Sequence, residues 1–198
     1  MENIISRIKH HFSESIQTKI TSADTLLSTI ADASQKVVQS LLDGHKIMSC
    51  GNGGSACNAI YFSANMINRF KHERPSLPAM ALNTDIFTMT AIANDQQYND
   101  IFAKQVRALG HRGDVLLTLS TSGNSSNLIT AAKAAQDRGM TVIALTGHDG
   151  GRIVGELTEN DLEVRVPSTD KARIQEIHLL IIHSICDIVD FQLFGHGA

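Results

Sequence analysis

The chain has 198 residues, 42% hydrophobic and 19% charged, enough to bury one sizeable core, and a single domain over 1–198 is expected. Seventeen Lys and Arg against twenty Asp and Glu give a net charge of −3, with two Tyr and no Trp, which argues against a surface that neutralises nucleic-acid phosphates. No uninterrupted apolar run reaches the roughly 18 residues of a membrane span. The first twelve residues carry charge where a secretory signal would carry an apolar core. Three cysteines (Cys50, Cys57 and Cys186) without CxxC spacing fit reduced thiols, so the expected compartment is the cytoplasm.

In chain order, Ile5, Ile8, Phe12, Ile16 and Ile20 recur at spacings of three and four and predict a first helix. Ser22 and Asp24 offer N-caps for a second series, Leu26, Ile30, Ala33, Val37 and Leu41, which stops at Asp43-Gly44. Residues 1–43 therefore read as a helical hairpin or one bent helix. Short apolar runs bounded by Gly, Ser or Asp follow at 46–50, 79–82, 114–120, 140–145 and 162–166. Helices are predicted over 55–70, 84–93, 99–109, 125–139 and 172–193. Apolar strands alternating with helices require crossovers that cover both faces of a parallel sheet. The expected fold is α/β, a three-layer α/β/α sandwich with a five-stranded parallel sheet over 44–198, plus the N-terminal helical hairpin. The last helix is apolar on several faces, with Ile174, Ile177, Leu180, Ile181 and Ile185 among its residues. That surplus, together with the amphipathic N-terminal helices, is expected to form an oligomer interface. The Pro-containing stretch 73–78 reads as a surface turn.

Two predicted strands feed polar, glycine-rich turns that open helices: Ser-Cys-Gly-Asn-Gly-Gly-Ser at 49–55 and Ser-Thr-Ser-Gly-Asn-Ser-Ser at 120–126. In a parallel sheet both emerge at the carboxyl edge, where such folds bind ligands, and each presents backbone N–H groups at a helix N-terminus, which favours an anion. The second turn adds the hydroxyls of Ser120, Thr121, Ser122 and Ser125 and no Lys or Arg. Several neutral donors plus a helix end suit a phosphate monoester. The plain alternative, that Ser and Gly only make turns and cap helices, fits one such loop better than two at equivalent strand ends. Gly51-x-Gly53-x-x-Ala56 also matches the relaxed dinucleotide fingerprint. The acidic residue that should end the second strand is missing, since Leu82-Asn83-Thr84 precede Asp85.

Four segments in order, 50–55, 119–125 (LSTSGNS), 144–151 (ALTGHDGG) and 173–178 (RIQEIH), resemble the SIS (sugar isomerase) domain of phosphoheptose isomerases, and the likeness extends over nearly the whole chain. Segments 66–82 (MINRFKHERPSLPAMAL) and 104–117 (KQVRALGHRGDVLL) are more similar to the DnaA initiator-associating proteins, the DiaA branch beside the isomerases. The resemblance implies a cytosolic homotetramer with a pocket for a phosphorylated sugar such as sedoheptulose 7-phosphate. It implies that Ser55, Ser120, Thr121, Ser122 and Ser125 hold the phosphate, that Asn52, Gly53, Asn94 and Asp95 line the sugar, and that Arg69 stands where the isomerases keep an arginine. The isomerases' acid/base glutamate, and the metal-binding histidine four residues before it, fall here at Asn65 and Tyr61. The glutamine and histidine of the last helix match at Gln175 and His183. Leu193 and Phe194 correspond to the pair through which the initiator-associating branch meets DnaA. Apolar pairs at a helix end can anchor partners, and packing back against a neighbouring helix is the plain alternative.

An aldose–ketose conversion needs a group that takes a proton from carbon near neutral pH. An amide cannot do so, and loss of a general base removes ~10²–10⁴ in rate. His183 could supply one partner, histidine being the side-chain type that changes charge nearest to neutral pH. Gln175 and His183, eight residues apart, are separated on a straight helix by ~12 Å of rise and about 80° of turn. With Tyr61 and Asn65 in the other two places, no metal or other cofactor is expected, and zinc belongs only to the isomerase alternative. His178 reads as structural, and His10, His11, His45, His72 and His196 as surface residues. His111 and His148 read as loop residues. The expectation is a tetrameric phosphosugar-binding scaffold that binds the initiator DnaA and regulates replication initiation, without membrane or direct nucleic-acid contact. The alternative is an active sedoheptulose 7-phosphate isomerase of lipopolysaccharide heptose synthesis, with His183 and Gln175 in the chemistry and Asp95 or a water as second partner.

Overall fold

The structure, a computed structural model, describes residues 3–195; His196 and the tail residues Gly197 and Ala198 lie outside them. The first element, α1 (Ile4–Leu42), is one helix of 39 residues capped by Asn3, so of the two readings of residues 1–43 a single helix forms and the hairpin does not. Ser22 and Asp24 lie inside this helix. The hydroxyls of Thr18, Thr21 and Thr25 each donate to the carbonyl four residues earlier. The Ser22 hydroxyl is buried without a partner, so it caps nothing, and neither Gly nor Pro breaks the helix.

The remaining elements are β1 (Ile47–Gly51), α2 (Gly54–Ile67), β2 (Ala79–Ala81), α3 (Ile86–Asp95), α4 (Ala103–Leu109), β3 (Val115–Leu119), α5 (Ser126–Asp137), β4 (Thr141–Gly147), β5 (Leu162–Val166) and α6 (Lys171–Phe194). The helix predicted over 99–109 is shorter, because Tyr98–Asp100 forms a separate 3-10 turn before α4. The five strands pair in the order β2-β1-β3-β4-β5, and every ladder is parallel. Successive side chains on a strand point to opposite faces, so β1, β3 and β4 each feed two cores. Ile47, Leu117 and Ile143 join Val37, Phe62, Ile181 and Ile185 in one cluster with α1, α2 and α6. Met48, Leu116 and Val142 join Phe102, Val106 and Leu128 in the other with α4 and α5.

The stretch 73–78 is more than a surface turn. Arg74 has no side-chain exposure and pairs with buried Asp190 of α6 at 2.7 Å. It also donates to the carbonyls of Asn65 and Met66, which α2 leaves unpaired as it ends. By length and composition α6 could cross a membrane, although no uninterrupted run predicted it. Its Ile174, Ile177, Ile181, Ile182, Ile185 and Val189 belong to the core cluster, which accounts for that character. The apolar stripe Ile4, Ile8, Phe12, Ile16 and Ile20 of α1 stays exposed, as do Leu180 and Phe191 of α6.

Candidate functional site

Strands β1 and β3 are neighbours, with Gly51 opposite Leu119. The chain leaves β1 toward β2 on one side and returns as β3 on the other, so the topological switch point of the sheet lies between them, where open α/β folds bind ligands. Both predicted loops leave from this point. In the first, a side chain at Gly51 would come within 2.7 Å of the Ser55 carbonyl, and the Ser55 amide donates to the Asn52 carbonyl at 3.0 Å. In the second, Gly123 has φ +64 and a side chain there would collide with the Gly150 carbonyl oxygen. The Ile153 amide donates to the Gly123 carbonyl at 2.9 Å, and the Arg152 amide to Asn124 Oδ1 at 3.0 Å. The glycines after β4 therefore form the wall against which the serine loop is folded.

Among the helices that follow a strand, capping distinguishes this region; α4, which also lacks a side-chain cap, continues from the 98–100 turn. Asn3, Asp85 and Asp170 cap α1, α3 and α6 with their side chains. α2 begins at Gly53, which has no side chain to offer, and the Ser125 hydroxyl at the start of α5 makes no cap bond. Orphan N–H groups and a free hydroxyl at the ends of two helices, side by side, form a cradle for an anion. Of the predicted phosphate residues, Ser55 and Ser120 are buried, Thr121 and Ser125 half-buried and Ser122 exposed. Ser120 Oγ accepts from the Gly123 amide and Ser122 Oγ from the Asn124 amide, so these two also hold the loop's shape.

On the expected sugar side, Asn52 and Gly53 lie in the first loop, and Asn94 donates to Asp95 at the exposed end of α3. Tyr98, three residues beyond Asp95, donates its hydroxyl to Asn52 Oδ1 at 3.2 Å, which brings this end of α3 beside the first loop. Arg69 pairs with Glu73 and is half-exposed. Gln175 packs against Gly54, where any side chain would strike its amide. His183 lies further along, its ring 5.6 Å from Tyr61 at an interplanar angle of 68° and 5.6 Å from Phe70. Gln175 and His183 thus meet α2 at different turns. Their companions are a phenol ring and Asn65, whose Nδ2 is buried without a partner. Among the described residues no three His, Cys, Asp or Glu stand together as a metal set. One histidine, two neutral amides and a phenol fit zinc poorly. At the end of α6, Leu193 packs on the core, and the Phe194 ring lies over the Arg74 guanidinium at 5.8 Å.

Sequence reasoning missed Asn127. This residue of α5 is 2% exposed. It exchanges two hydrogen bonds with Asn52, each 2.9 Å, and no local pattern announces a pairing across 75 residues of chain. Asn83 was missed as well; it accepts from the Gly51 amide and donates to the Gly51 carbonyl. His178 is structural as read. Burial pulls it down to about 4, against the opposing effect of its hydrogen bond with the Thr146 carbonyl.

The SIS domain family model matches residues 11–147. A phosphoheptose isomerase of Alteromonas mediterranea is 56% identical over 196 residues, 98% of this chain and 99% of that protein. The DnaA initiator-associating protein DiaA of Klebsiella pneumoniae is 55% identical over 193 residues, 98% of each. Among solved structures, a phosphoheptose isomerase from Francisella tularensis superposes with a TM-score of 0.93 at 45% identity, covering 95% of this chain and 98% of that one.

Proposed function

The chain belongs to the SIS domain family, within the group that holds the phosphoheptose isomerases and the DiaA proteins, and on that premise we propose that it is a cytoplasmic, tetrameric phosphosugar-binding scaffold for the initiator DnaA rather than an isomerase. The observation that carries this reading is the pairing of an intact anion cradle with the loss of the base. The starts of α2 and α5 have no side-chain cap and are lined with hydroxyls, and the resemblance to the isomerases puts Asn65 at the place of their acid/base glutamate. An amide that takes no proton from carbon leaves a site that binds a sugar phosphate without converting it. The exposed apolar stripe of α1 and Phe191 of α6 supply the surface for assembly. A tetramer would present several copies of Leu193 and Phe194 and raise their effective concentration toward DnaA.

The deciding experiment gives the purified protein sedoheptulose 7-phosphate. Binding without turnover is expected, and turnover at ~1 s⁻¹ or faster would overturn the reading. In parallel, immobilised wild type should retain DnaA and Phe194→Ala should retain less; no retention by wild type counts against the scaffold. Light scattering should give four chains per particle.

The isomerase remains the second reading, favoured by the names of relatives at 56% and 45% identity. It requires His183 to find a second partner. Changing Tyr61→His together with Asn65→Glu should confer metal affinity or isomerase activity on the scaffold, and silence of that double variant would mean that α2 does not face the sugar.

A further inference from the structure

We propose that Asn127 is a positioning residue that holds the Asn52 amide, and with it the sugar side of the site, at one fixed spacing from the phosphate cradle at the start of α5. The proposal rests on the phosphosugar reading above and adds the device that joins the site's two halves. The ladder between β1 and β3 ends at Gly51 and Leu119. Beyond that point each loop turns away to start its own helix, and the reciprocal amide pair of Asn52 and Asn127, at 2.9 Å in both directions, carries the connection further. Asn127 lies one residue beyond Ser126, the first residue of α5, and is 2% exposed. It is therefore too buried to be a surface contact for a ligand, and it acts through Asn52.

The hydrogen-bond capacity of Asn52 makes the point sharper. Its Oδ1 accepts from Asn127 Nδ2 and also from the Tyr98 hydroxyl at 3.2 Å, which uses both lone pairs of that oxygen. Its Nδ2 donates one hydrogen to Asn127 Oδ1. What remains for a ligand is a single N–H, aimed by its two neighbours. A buried asparagine at 127 whose polar atoms serve a residue in another loop is costly unless both are satisfied. Ser120 to Ser125 hold their loop by their own bonds and by the 150–153 wall, independently of this pair. The phosphate and sugar ends of a ligand should therefore respond differently to its removal.

The test measures binding of sedoheptulose 7-phosphate and of inorganic phosphate by calorimetry. Asn127→Ala is expected to weaken the sugar phosphate about tenfold, the effect of losing two aligned hydrogen bonds, and to leave inorganic phosphate unchanged. In an Asn52→Ala background, Asn127→Ala should add nothing further, since its route is gone. Equal loss for both ligands, or additive losses, would overturn the proposal. Tyr98→Phe acts on the same amide from an exposed ring, 57% accessible, without disturbing buried packing. It should give a smaller loss for the sugar phosphate alone, and no loss would count against the proposal even if Asn127→Ala failed to fold. Should wild type bind inorganic phosphate but no sugar phosphate, the phosphosugar reading falls. Hydrogen exchange on the free protein then decides the positioning claim: Asn127→Ala must speed exchange at the amides of 52–55 while 115–119 keep theirs, and unchanged exchange at 52–55 sinks it.

Discussion

At the amino edge of the sheet, Asp114 receives the amides of Lys46 and His111 and the Lys46 ammonium. Asp161 receives the amides of Val142 and Thr158, the Thr158 hydroxyl and the Gln136 side chain. Each carboxylate closes a strand or turn start on itself. At the carboxyl edge of the same sheet, α2 and α5 begin without a side-chain cap and the Ser125 hydroxyl caps nothing. Both edges carry backbone groups that need partners, and they meet that need differently. One is completed by the chain. At the other, Asp85 and Asp170 complete the starts of α3 and α6, while the starts of α2 and α5 are left without a side-chain partner. Removing a polar side-chain group should cost stability at the first edge and ligand binding at the starts of α2 and α5, and substitutions can break that separation.

The largest effect is expected where the open edge leans on backbone. Gly123→Ala places a side chain at φ +64 against the Gly150 carbonyl. It should cost about 4 kcal/mol in urea unfolding and abolish phosphate binding, whereas Gly155→Ala, with nothing within 4 Å, should be neutral. Acid comes next. Because burial holds folded His178 at about 4, below its ordinary ~6.5, the unfolded chain takes up the proton first as pH falls. The stability that His178 contributes is therefore whole above pH ~6.5 and lost on the way down to about 4, amounting to about 3 kcal/mol. His178→Gln, which lacks that titration, should show a flatter unfolding profile over this range, and a wild-type profile no steeper would refute the assignment.

At the closed edge, Asp161→Ala leaves four donors without their acceptor. It should lower stability by about 2 to 3 kcal/mol with inorganic phosphate affinity intact; lost affinity would show that the two edges are coupled. The smallest stability change is expected at Ser125→Ala, within about 0.5 kcal/mol because the hydroxyl makes no cap bond. Its signature is a fall of about tenfold or more in phosphate affinity, the effect of one hydrogen bond to a charged group. A stability loss without an affinity loss would identify it as an ordinary cap.

The strands and both glycine-rich loops were legible because their signals are local. Apolar runs such as 115–119 are bounded by turn residues, and Gly51, Gly53 and Gly123 stand where the backbone must approach itself or turn left-handed. The hairpin expected in 1–43 failed for an instructive reason. Ser22 and Asp24 are readable as caps from sequence, but the helix runs through both positions with neither Gly nor Pro to interrupt its backbone bonds. Around Arg74 the sequence reads as a surface turn, since nothing nearby reveals Asp190, 116 residues away. Asn127 was missed on the same ground.

By itself the sequence determined the alternation of strands and helices, the parallel sheet and the two loops at its carboxyl edge. Periodicity, turn chemistry and side-chain identity act over a few residues and need no knowledge of the rest of the chain. Tertiary structure alone decided that the two loops share one switch point, that Asn127 locks Asn52, that His183 packs between Tyr61 and Phe70, and that Arg74 is buried against Asp190. Each of these is a contact between residues far apart along the chain. Strand order and helix packing bring such residues together, and only the folded chain fixes those.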